Sequence, residues 1–417
     1  MPERYKILLS AYACEPNKGS EPGVGWHWAM EIAKRGHEVW VLTRVNNQHS
    51  IDEYFASHSK PINIHFIYYD LPNFILILKK RVLGVNVYYF FWQVGVLTQA
   101  KIRHSNIKFD LIHHITFGVF RHPSFLYKLN IPTVFGPVGG GDQTPSALKE
   151  SHPIKYKLIE QIRESINCIS RVNPVLLRFY DKAALIYTKT DNTKKFIPYK
   201  NKTTTFLEIG IDSVEPSQRT YNFQHPTFRI LYVGQIIYMK GIDIAIASFK
   251  RFQDQTNSET QLFFVGKGEY MDHVKSSIKK LNIEHIVNLI DWMPQHKLKE
   301  FYQTSNIFLF PSLHDSSGNV VLEALSYGLP VICLDLGGPG QIVNENCGRV
   351  ISTKGKTEEE VIQSMSDTIL ELQQNPTLLK RLSEGAIQRA REFTWEKTVA
   401  RVYNEIENYM KKQAIKL

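Results

Sequence analysis

Short apolar runs, separated by polar loops and by helical stretches, recur along the chain. The first run at residues 7–11 precedes a glycine-bearing loop at 19–25, a stretch of helical periodicity at 26–35 and a second run at 39–43. This order predicts a βαβ unit. Similar short runs are found at residues 110–114, 131–135, 184–188, 228–234, 261–265, 287–290, 307–310 and 331–334. Runs that are apolar throughout indicate strands buried on both faces, so the pattern predicts an α/β fold.

One polar segment divides this pattern. Residues 215–227 are polar, contain proline and show no periodicity, which is typical of a linker. A chain of 417 residues is too long for one ordinary core and suits two domains of about 200 residues each. We expect Rossmann-like domains at 1–214 and 228–393, followed by a terminal helix in 394–417 that begins after an N-cap at Thr394.

The second predicted domain holds the most informative stretch, His314 to Ile332. The run at 307–310 ends before a proline, helix-forming residues occupy 320–327, and Gly328 is a helix stop before the next strand. Loops of this kind lie at the carboxyl ends of parallel strands, where open sheets bind ligands. We expect the N–H groups of Gly318, Asn319 and Val320 to face outward at the positive end of the helix, where they suit a phosphate.

Two carboxylates flank that helix end. Asp315 lies just before the helix and Glu323 one turn inside it. Carboxylates accept hydrogen bonds from ribose or sugar hydroxyls. The alternative is an acid that caps the helix and a solvated helix residue, which would be preferred for an isolated pair of acids; the whole stretch favours a ligand site.

The stretch resembles the signature of retaining nucleotide-sugar glycosyltransferases of the GT-B fold, family 4. That family carries an acid, then seven residues, then Glu and Ala, followed by a small-residue helix and Gly-x-Pro-Val. Asp315 and Glu323 occupy the two acidic positions, although the family usually has Glu first. Ser316 and Ser317 replace a usual Gly-Phe. The resemblance implies two doubly wound Rossmann-like domains with a cleft between them and a C-terminal helix that crosses back to the first domain.

The resemblance also assigns the diphosphate site. The family uses an Arg directly after the first glycine of the second domain and a Lys five residues later. This chain has Gln235 at the Arg position after Gly234 and keeps Lys240, whose ammonium would meet the diphosphate as a point charge. Lys267 is a possible substitute for the missing cation. The alternative for Lys240 is a solvated lysine at a helix start.

The resemblance extends to the sugar and base. It implies that Asp315 binds the sugar hydroxyls, that Glu323 binds the ribose, and that both act in catalysis with Lys240. Gly337 and Gly338 could meet the sugar or phosphate. The remaining donor contacts that we expect are Gly23, Gly25, Gly234, Gln235, Gly266, Trp292, Met293, Ser317, Gly318, Asn319 and Val320. For Gly23 and Gly25, simple turn geometry is the alternative.

The N-terminal half departs from the family at one position. The family often has a functional His after the strand at 131–135, whereas this chain continues through Gly136 to Asp142 without one. His114, at the end of another predicted strand, is our candidate to touch the substrate, with His113 and His122 as alternatives. The chain has no Gly-x-Gly-x-x-Gly motif followed by a suitably placed acid, which disfavours nicotinamide binding.

The amino-acid composition limits the classes of ligand and partner that we expect for this protein. The chain is 43% hydrophobic and 22% charged, with a net charge of +10, which favours anionic ligands or surfaces. No nucleic-acid motif is present, so we expect no nucleic acid partner. The four cysteines show no metal spacing and there is no Asp-x-Asp motif, so we expect neither metal nor cofactor. The N-terminus lacks a signal core, and we expect a cytoplasmic protein.

A membrane surface is a further expectation. Residues 74–97 are strongly apolar and include Lys79-Lys80-Arg81 and the aromatic run 88–92. The apolar part at 82–97 is shorter than the roughly 20 residues of a spanning helix. Two interpretations stay open, namely a core helix of the first domain and a basic, aromatic surface on the inner face of the cell membrane.

The expected function is transfer of a sugar from a UDP- or GDP-sugar to a hydroxyl acceptor, with retention of configuration and without a metal. The acceptor would be a sugar or a lipid-linked sugar in bacterial surface polysaccharide or glycolipid synthesis. The alternatives are a GT-B epimerase or hydrolase that acts on the nucleotide sugar itself, and a degenerate binding module without turnover.

Overall fold

A computed structural model describes residues 4–72, 75, 84–150, 152–212, 214 and 227–415. The chain forms two compact units. The first comprises Met1–Gly141, Ser165–Glu208 and Trp395–Leu417, and the second comprises Asp142–Glu164 and Ile209–Thr394. The segment 142–164, which the sequence placed in the N-terminal domain, therefore groups with the second unit. The predicted linker lies outside the described residues except for Thr227, which begins a strand.

The described part of the first unit contains a parallel sheet of seven strands in the order β3-β2-β1-β4-β5-β6-β7. The order reverses between β1 and β4, so the carboxyl ends of these two strands mark the switch point of this sheet. The strands are β1 Lys6–Ser10, β2 Glu38–Thr43, β3 Ile64–Tyr68, β4 Leu111–His114, β5 Thr133–Val138, β6 Leu185–Thr188 and β7 Thr203–Thr205.

The second unit contains, within the same described residues, a parallel sheet of six strands in the order β10-β9-β8-β11-β12-β13. Its switch point lies between β8 and β11. The strands are β8 Thr227–Val233, β9 Glu259–Val265, β10 Val287–Ile290, β11 Ile307–Phe310, β12 Val331–Leu334 and β13 Gly348–Ile351. Two Rossmann-like sheets with helices between the strands confirm the predicted α/β fold class.

Helices connect the strands of both sheets. In chain order, the helices of the described residues are α1 Ser20–Lys34, α2 Gln48–Ser57, α3 Gly84–Ile107, α4 Ile154–Ser170, α5 Pro174–Lys182, α6 Asp191–Lys194, α7 Ile242–Gln253, α8 Met271–Lys280, α9 Gln295–Thr304, α10 Asn319–Ser326, α11 Pro339–Ile342, α12 Glu358–Gln374, α13 Pro376–Ala390 and α14 Trp395–Ala414. None of the helices in these residues is both long enough and apolar enough to cross a membrane.

Helix α1 begins earlier than predicted. The sequence suggested a loop through residue 25, but the helix starts at Ser20, so Gly23 and Gly25 lie inside it. Both glycines are buried against the preceding segment: a Cβ at Gly23 would lie 2.1 Å from the Lys18 carbonyl oxygen, and one at Gly25 would lie 2.1 Å from that of Ala13. The two glycines therefore allow close packing of α1 on its own leading segment.

The terminal helix α14 belongs to the first unit. Val399, Val402, Tyr403 and Ile406 are buried in the same hydrophobic cluster as Trp28 of α1. The Tyr403 hydroxyl lies 3.1 Å from His113 Nδ1. The last helix therefore completes the core of the first unit.

We expect Val402→Ala to lower the stability of the first unit by about 2 kcal/mol, because it removes two buried methyl groups and leaves a cavity. Urea unfolding followed by tryptophan fluorescence measures the change. The matched control is Val172→Ala in the same unit, where the side chain is exposed. Equal midpoints for the two variants would contradict the assignment of α14 to this core.

Candidate functional site

The switch point of the second sheet brings two predicted residues together. Lys240 ends a short 3-10 turn after β8, and Asp315 lies in the loop after the neighbouring strand β11. Lys240 Nζ is 2.7 Å from Asp315 Oδ2 and donates a second hydrogen bond of 3.1 Å to the His314 carbonyl oxygen. It also lies 5.7 Å from the centroid of the Phe310 ring. A largely buried cation is thus held at the ligand-binding edge of the sheet.

Asp315 also organises the start of α10. Its Oδ1 accepts hydrogen bonds from the N–H groups of Ser317, at 3.2 Å, and Gly318, at 2.8 Å. Burial alone would raise the pKa of Asp315, but the Lys240 ammonium and these amides together lower it, so the carboxylate is ionised. Both of its oxygens therefore have partners within the protein.

This arrangement corrects one expectation. The N–H group of Gly318 does not face outward for a phosphate, because it donates to Asp315. The N–H groups of Asn319 and Val320 make no hydrogen bond to the residues that the structure describes. Two backbone donors therefore remain at the positive end of α10.

Two glycines bring the loops around Asp315 into backbone contact. Gly241, with φ +65°, follows Lys240, and a Cβ there would lie 1.9 Å from the Pro311 carbonyl oxygen. Gly337, with φ +61°, would place a Cβ 2.1 Å from the Asp315 carbonyl oxygen. Any other side chain at these positions would push the Lys240 and Asp315 loops away from their neighbours.

Glu323 lies one turn into α10 in a less polar setting. Its Oε2 accepts a hydrogen bond of 3.2 Å from the Tyr302 hydroxyl, and the Tyr302 ring stacks on Tyr327 at a centroid distance of 5.2 Å. Burial raises the pKa of Glu323 to about 7, although the Tyr302 hydrogen bond opposes this rise. Near neutral pH this carboxyl therefore exchanges between its acid and its ionised form, whereas Asp315 stays charged.

The remaining predicted donor residues of this unit lie at the ends of β8, β9 and β10. Gln235 is exposed, and its neighbour Gly234 donates its N–H to the Val265 carbonyl oxygen at 3.0 Å, just before Gly266. Lys267 Nζ lies 5.4 Å from the ring centroid of Trp292, which is 63% exposed. Met293 beside it is half-buried. These positions share one edge of the sheet with Lys240, and their contacts with a donor stay a prediction.

Two of the three candidate histidines of the first unit, His113 and His114, are fully buried. His114 is fully buried at the end of β4, with Nδ1 3.2 Å from Ser10 Oγ and Nε2 3.3 Å from the Tyr89 hydroxyl. Burial lowers its pKa to about 3. His113 is likewise buried, and burial lowers its pKa to about 4. His122 is half-buried, and burial lowers its pKa to about 4. Of the three candidates, His122 retains the most solvent contact.

Two acids that no sequence pattern indicated contact the loop around Asp315. Glu160 of α4 is 1% exposed, with Oε2 3.0 Å from His314 Nε2 and Oε1 3.1 Å from the Tyr238 hydroxyl. Asp142 accepts a hydrogen bond from Ser316 Oγ. Neither acid lies in a motif, and both are more than 150 residues away from their partners in the loop, so no local spacing could reveal them.

A metal centre is not evident in the part of the chain that the structure describes. No group of three or more His, Cys, Asp or Glu side chains there is placed to hold a metal ion. The cation present at the site is the Lys240 ammonium.

The chain is similar to known glycosyltransferases. Residues 214–389 match the profile of the family described as Glycosyl transferases group 1. An uncharacterized glycosyltransferase of Methanocaldococcus jannaschii is 29% identical over 53% of this chain and 63% of its own length. A second uncharacterized glycosyltransferase of the same organism is 22% identical over 76% of each chain. The chain thus spans less than two thirds of the first relative. The similarity to group 1 glycosyl transferases concerns residues 214–389.

Solved structures resemble the whole chain. Sucrose-phosphate synthase from Thermosynechococcus elongatus has a TM-score of 0.66 at 15% identity, covering 98% of this chain and 100% of that one. HepE from Anabaena, solved in complex with UDP, has a TM-score of 0.60 at 14% identity, covering 97% of this chain and 100% of that one. At this identity the likeness concerns the fold, and it confirms the GT-B class of two Rossmann-like domains.

The raised pKa of Glu323 predicts a pH-dependent change in stability. Burial favours the protonated form of Glu323 in the folded state. The stability that this carboxyl contributes is therefore fully present below its ordinary pKa near 4.5 and is lost as the pH rises through about 7. We expect Glu323→Gln, which resembles the protonated acid, to raise the free energy of unfolding at pH 8 by on the order of 2 kcal/mol. At pH 5 the difference should be small.

Thermal unfolding at the two pH values measures this effect. Glu300→Gln on the neighbouring helix α9 is the control, because that side chain is exposed. A Glu323→Gln variant with the same midpoint as the wild type at pH 8 would show that the carboxyl ionises without cost.

Proposed function

We propose that this protein is a retaining glycosyltransferase that moves a sugar from a nucleoside-diphosphate sugar to a hydroxyl group. The observation that carries the proposal is the Lys240 ammonium, fixed by Asp315 at the switch point of the domain that matches the group 1 family. The expectation that neither metal nor cofactor is needed is part of the proposal. The donor is a substrate, and its negative diphosphate suits a fixed cation.

In the proposed reaction, the bond between the anomeric carbon and the diphosphate oxygen breaks, and a bond to the acceptor oxygen forms. The acceptor hydroxyl loses its proton to the departing diphosphate or to solvent. Negative charge grows on the leaving oxygen, and an ammonium already held in place stabilises it without reorganisation. The N–H groups of Asn319 and Val320 at the start of α10 add to this stabilisation.

The carboxylates of Glu323 and Asp315 have different roles in the proposed reaction. Glu323 in its ionised form accepts hydrogen bonds from the ribose hydroxyls. Asp315 was expected to bind the sugar, but its two oxygens are occupied by Lys240, Ser317 and Gly318. We therefore assign Asp315 first to holding Lys240, and a contact with the sugar would have to compete with these bonds.

UDP is the donor nucleotide that we would test first, with GDP second. HepE from Anabaena was solved with UDP, with UDP and glucose, and with UDP-glucose. Those ligands belong to HepE, and we transfer to this chain only their class, a nucleoside diphosphate and its sugar. For this chain the exposed Trp292 beside Lys267 offers an aromatic face and a cation near the end of β10, which suits a nucleobase.

The acceptor is proposed to bind the first unit, at the carboxyl ends of its strands. Tyr12 follows β1, and Phe117 follows β4 with φ +57°, an unfavourable conformation for a bulky residue. The two rings meet at a centroid distance of 5.2 Å, and His122 lies 5.5 Å from Phe117. Aromatic faces suit a sugar ring, and such strain is concentrated at functional sites.

One observation favours the alternative of a binding module without turnover. Gln235 stands where the family has a cation, and it is exposed. With one positive charge fewer, the site would stabilise the diphosphate less well. An epimerase or hydrolase would keep the same donor site and would differ in its products.

The decisive test uses Lys240. We expect the wild type to show a raised unfolding midpoint with one of UDP, GDP, ADP or CMP, since a ligand that binds the native state stabilises it. Lys240→Ala should lose most of this shift and at least 100-fold in turnover of the matching nucleotide sugar, because the fixed cation is gone. Lys250→Ala, on the exposed side of α7, is the control.

Wild-type turnover in Lys240→Ala would refute the assignment. Binding of a diphosphate without turnover of any sugar would favour the binding module, and product analysis separates transfer from epimerisation and hydrolysis.

We further propose that the protein works at the inner face of the bacterial cell membrane, on lipid-linked acceptors of surface polysaccharide or glycolipid synthesis. Helix α3 has one side in the core of the first unit and one side at the surface. Its Tyr88, Tyr89 and Trp92 are buried, whereas Phe90 and Phe91 are about half exposed. The basic residues 79–81 that were expected to accompany it lie outside the described residues.

Helix α4 carries a second apolar surface. Its buried side is polar, with Glu160 and Asn167, whereas its outward side is lined by five aliphatic residues, each 49–76% exposed: Ile154, Leu158, Ile162, Ile166 and Ile169. The exposed charges between 153 and 175 are cationic, namely Lys155, Lys157 and Arg171. An apolar stripe with cations and without exposed acids suits an anionic lipid surface.

We expect binding to vesicles of anionic phospholipid that falls as salt is added, and weaker binding to neutral vesicles. Ile162→Ser combined with Ile166→Ser should lower the bound fraction several-fold, because the apolar area that enters the interface is reduced. Ile62→Ser is the control, since Ile62 is 94% exposed outside this surface. Absence of vesicle binding by the wild type at low salt would exclude the membrane proposal.

A further inference from the structure

Glu160 contacts both loops that form the Lys240–Asp315 pair. Its Oε1 accepts from the hydroxyl of Tyr238, which is two residues before Lys240 in the same 3-10 turn. Its Oε2 lies 3.0 Å from Nε2 of His314, the residue before Asp315. One carboxylate, from a helix that precedes the second domain in the sequence, thus bridges the ends of two neighbouring strands.

The connection from Glu160 to Lys240 is short. The His314 side chain is held by Glu160, and its carbonyl oxygen accepts a hydrogen bond from Lys240 Nζ at 3.1 Å. On the other loop, Arg163 of the same helix lies 3.5 Å from the sulfur of Met239, the neighbour of Lys240. A shift of α4 would therefore move both the turn that carries Lys240 and the carbonyl oxygen that accepts its hydrogen bond.

Asp142 acts on the other side of Asp315. It is nearly fully buried and accepts the hydrogen bond of Ser316 Oγ. Three consecutive loop residues thus have separate partners, with His314 held by Glu160, Asp315 by Lys240 and Ser316 by Asp142. Since Asp142 and Glu160 come from the same segment, that segment fixes the loop on both sides of the ion pair.

The contacts of Glu160 with the two loops are strong because this side chain is buried. Glu160 is 1% exposed, and Tyr238 stacks on Tyr156 of the same helix at a centroid distance of 4.2 Å. Burial alone would raise the pKa of Glu160, but the His314 side chain, Arg163 and Tyr238 together lower it to about 2. A buried, ionised carboxylate with partners on two loops resists displacement of either loop, because any move leaves a charge without its partners.

We propose that Glu160 and Asp142 are positioning residues of the donor site, which hold the loops after β8 and β11 so that the Lys240 ammonium is aimed at the diphosphate. The proposal rests on the proposed function, but its residues lie outside the family motif. Neither acid needs to touch the donor, since each acts through residues 314–316 or 238–240. Positioning matters here because a misplacement of about 1 Å can cost two orders of magnitude in rate.

The first test is the binding of nucleoside diphosphate against nucleoside monophosphate, measured by calorimetry with UDP and UMP, and with GDP and GMP. We expect Glu160→Gln to weaken diphosphate binding about tenfold and monophosphate binding less than twofold. A merely structural role would weaken both ligands equally. The matched control is Glu164→Gln, one turn further along α4, whose carboxylate pairs with Lys149 instead of the loops.

The second test asks whether the effect passes through Lys240. In a Lys240→Ala background, Glu160→Gln should have no further effect on diphosphate binding or turnover, because the group that it positions is absent. Independent, additive losses in the double variant would overturn the proposal, as would wild-type diphosphate affinity in Glu160→Gln alone.

A third measurement needs no ligand and separates this inference from the proposed function. Competitive labelling with an amine reagent, followed by mass spectrometry, reports how accessible and reactive Lys240 is. We expect Lys240 to react several-fold faster in Glu160→Gln than in the wild type, relative to Lys250 in the same sample. Unchanged labelling would overturn the proposal, whereas raised labelling without any diphosphate binding by the wild type would overturn the proposed function alone.

Milder variants keep the test decisive if Glu160→Gln does not fold. Tyr238→Phe removes one hydrogen bond to Glu160, and Ser316→Ala removes the bond to Asp142. Each should raise Lys240 labelling and lower diphosphate affinity by a smaller factor of about two to five. Wild-type behaviour of both variants would refute the inference.

Discussion

A cation that must meet a diphosphate has to be kept charged and in place before the ligand arrives. Under the proposed function, this task falls to the ion pair of Lys240 and Asp315 at 2.7 Å. Withdrawing two charges from water is costly, and mutual attraction offsets that cost only when the remaining donors and acceptors are satisfied. The His314 carbonyl oxygen and the amides of Ser317 and Gly318 satisfy them. The close backbone approach at Gly241 and Gly337 serves the same geometry.

Two carboxyls eight residues apart differ in protonation because their surroundings differ. Asp315 has an ammonium and two amides, so its pKa is lowered despite burial. Among the described residues, Glu323 has the Tyr302 hydroxyl as its hydrogen-bond donor, so burial dominates and its pKa rises to about 7. The former is a permanent anion that fixes a cation. The latter titrates near neutral pH, so under the proposed function its affinity for the ribose hydroxyls would depend on pH.

The sequence predicted those parts of the structure that follow from local patterns. Apolar runs located the strands, and the resemblance to family 4 implied that Lys240 and Asp315 act at one site. The start of α1 was not predicted, since Pro22 and two glycines suggested a loop, whereas proline is tolerated in the first turn of a helix. The surroundings of His114 were not predicted either, because Ser10 and Tyr89 cover it from distant parts of the chain. Glu160 was missed for the same reason, as its contacts are set by tertiary packing alone.

The placement of residues 142–164 bears on how the chain can be divided. A fragment cut at the apparent linker would begin near Thr227 and would contain the entire family match apart from its first residues. It would nevertheless lack Asp142 and Glu160, and the buried side chains of His314 and Tyr238 would lose the carboxylate between them. The domain boundary that the sequence suggests therefore lies at a different place from the boundary of the folded unit. Exchange of whole halves between related proteins would transfer the loop around Asp315 without the segment that holds it.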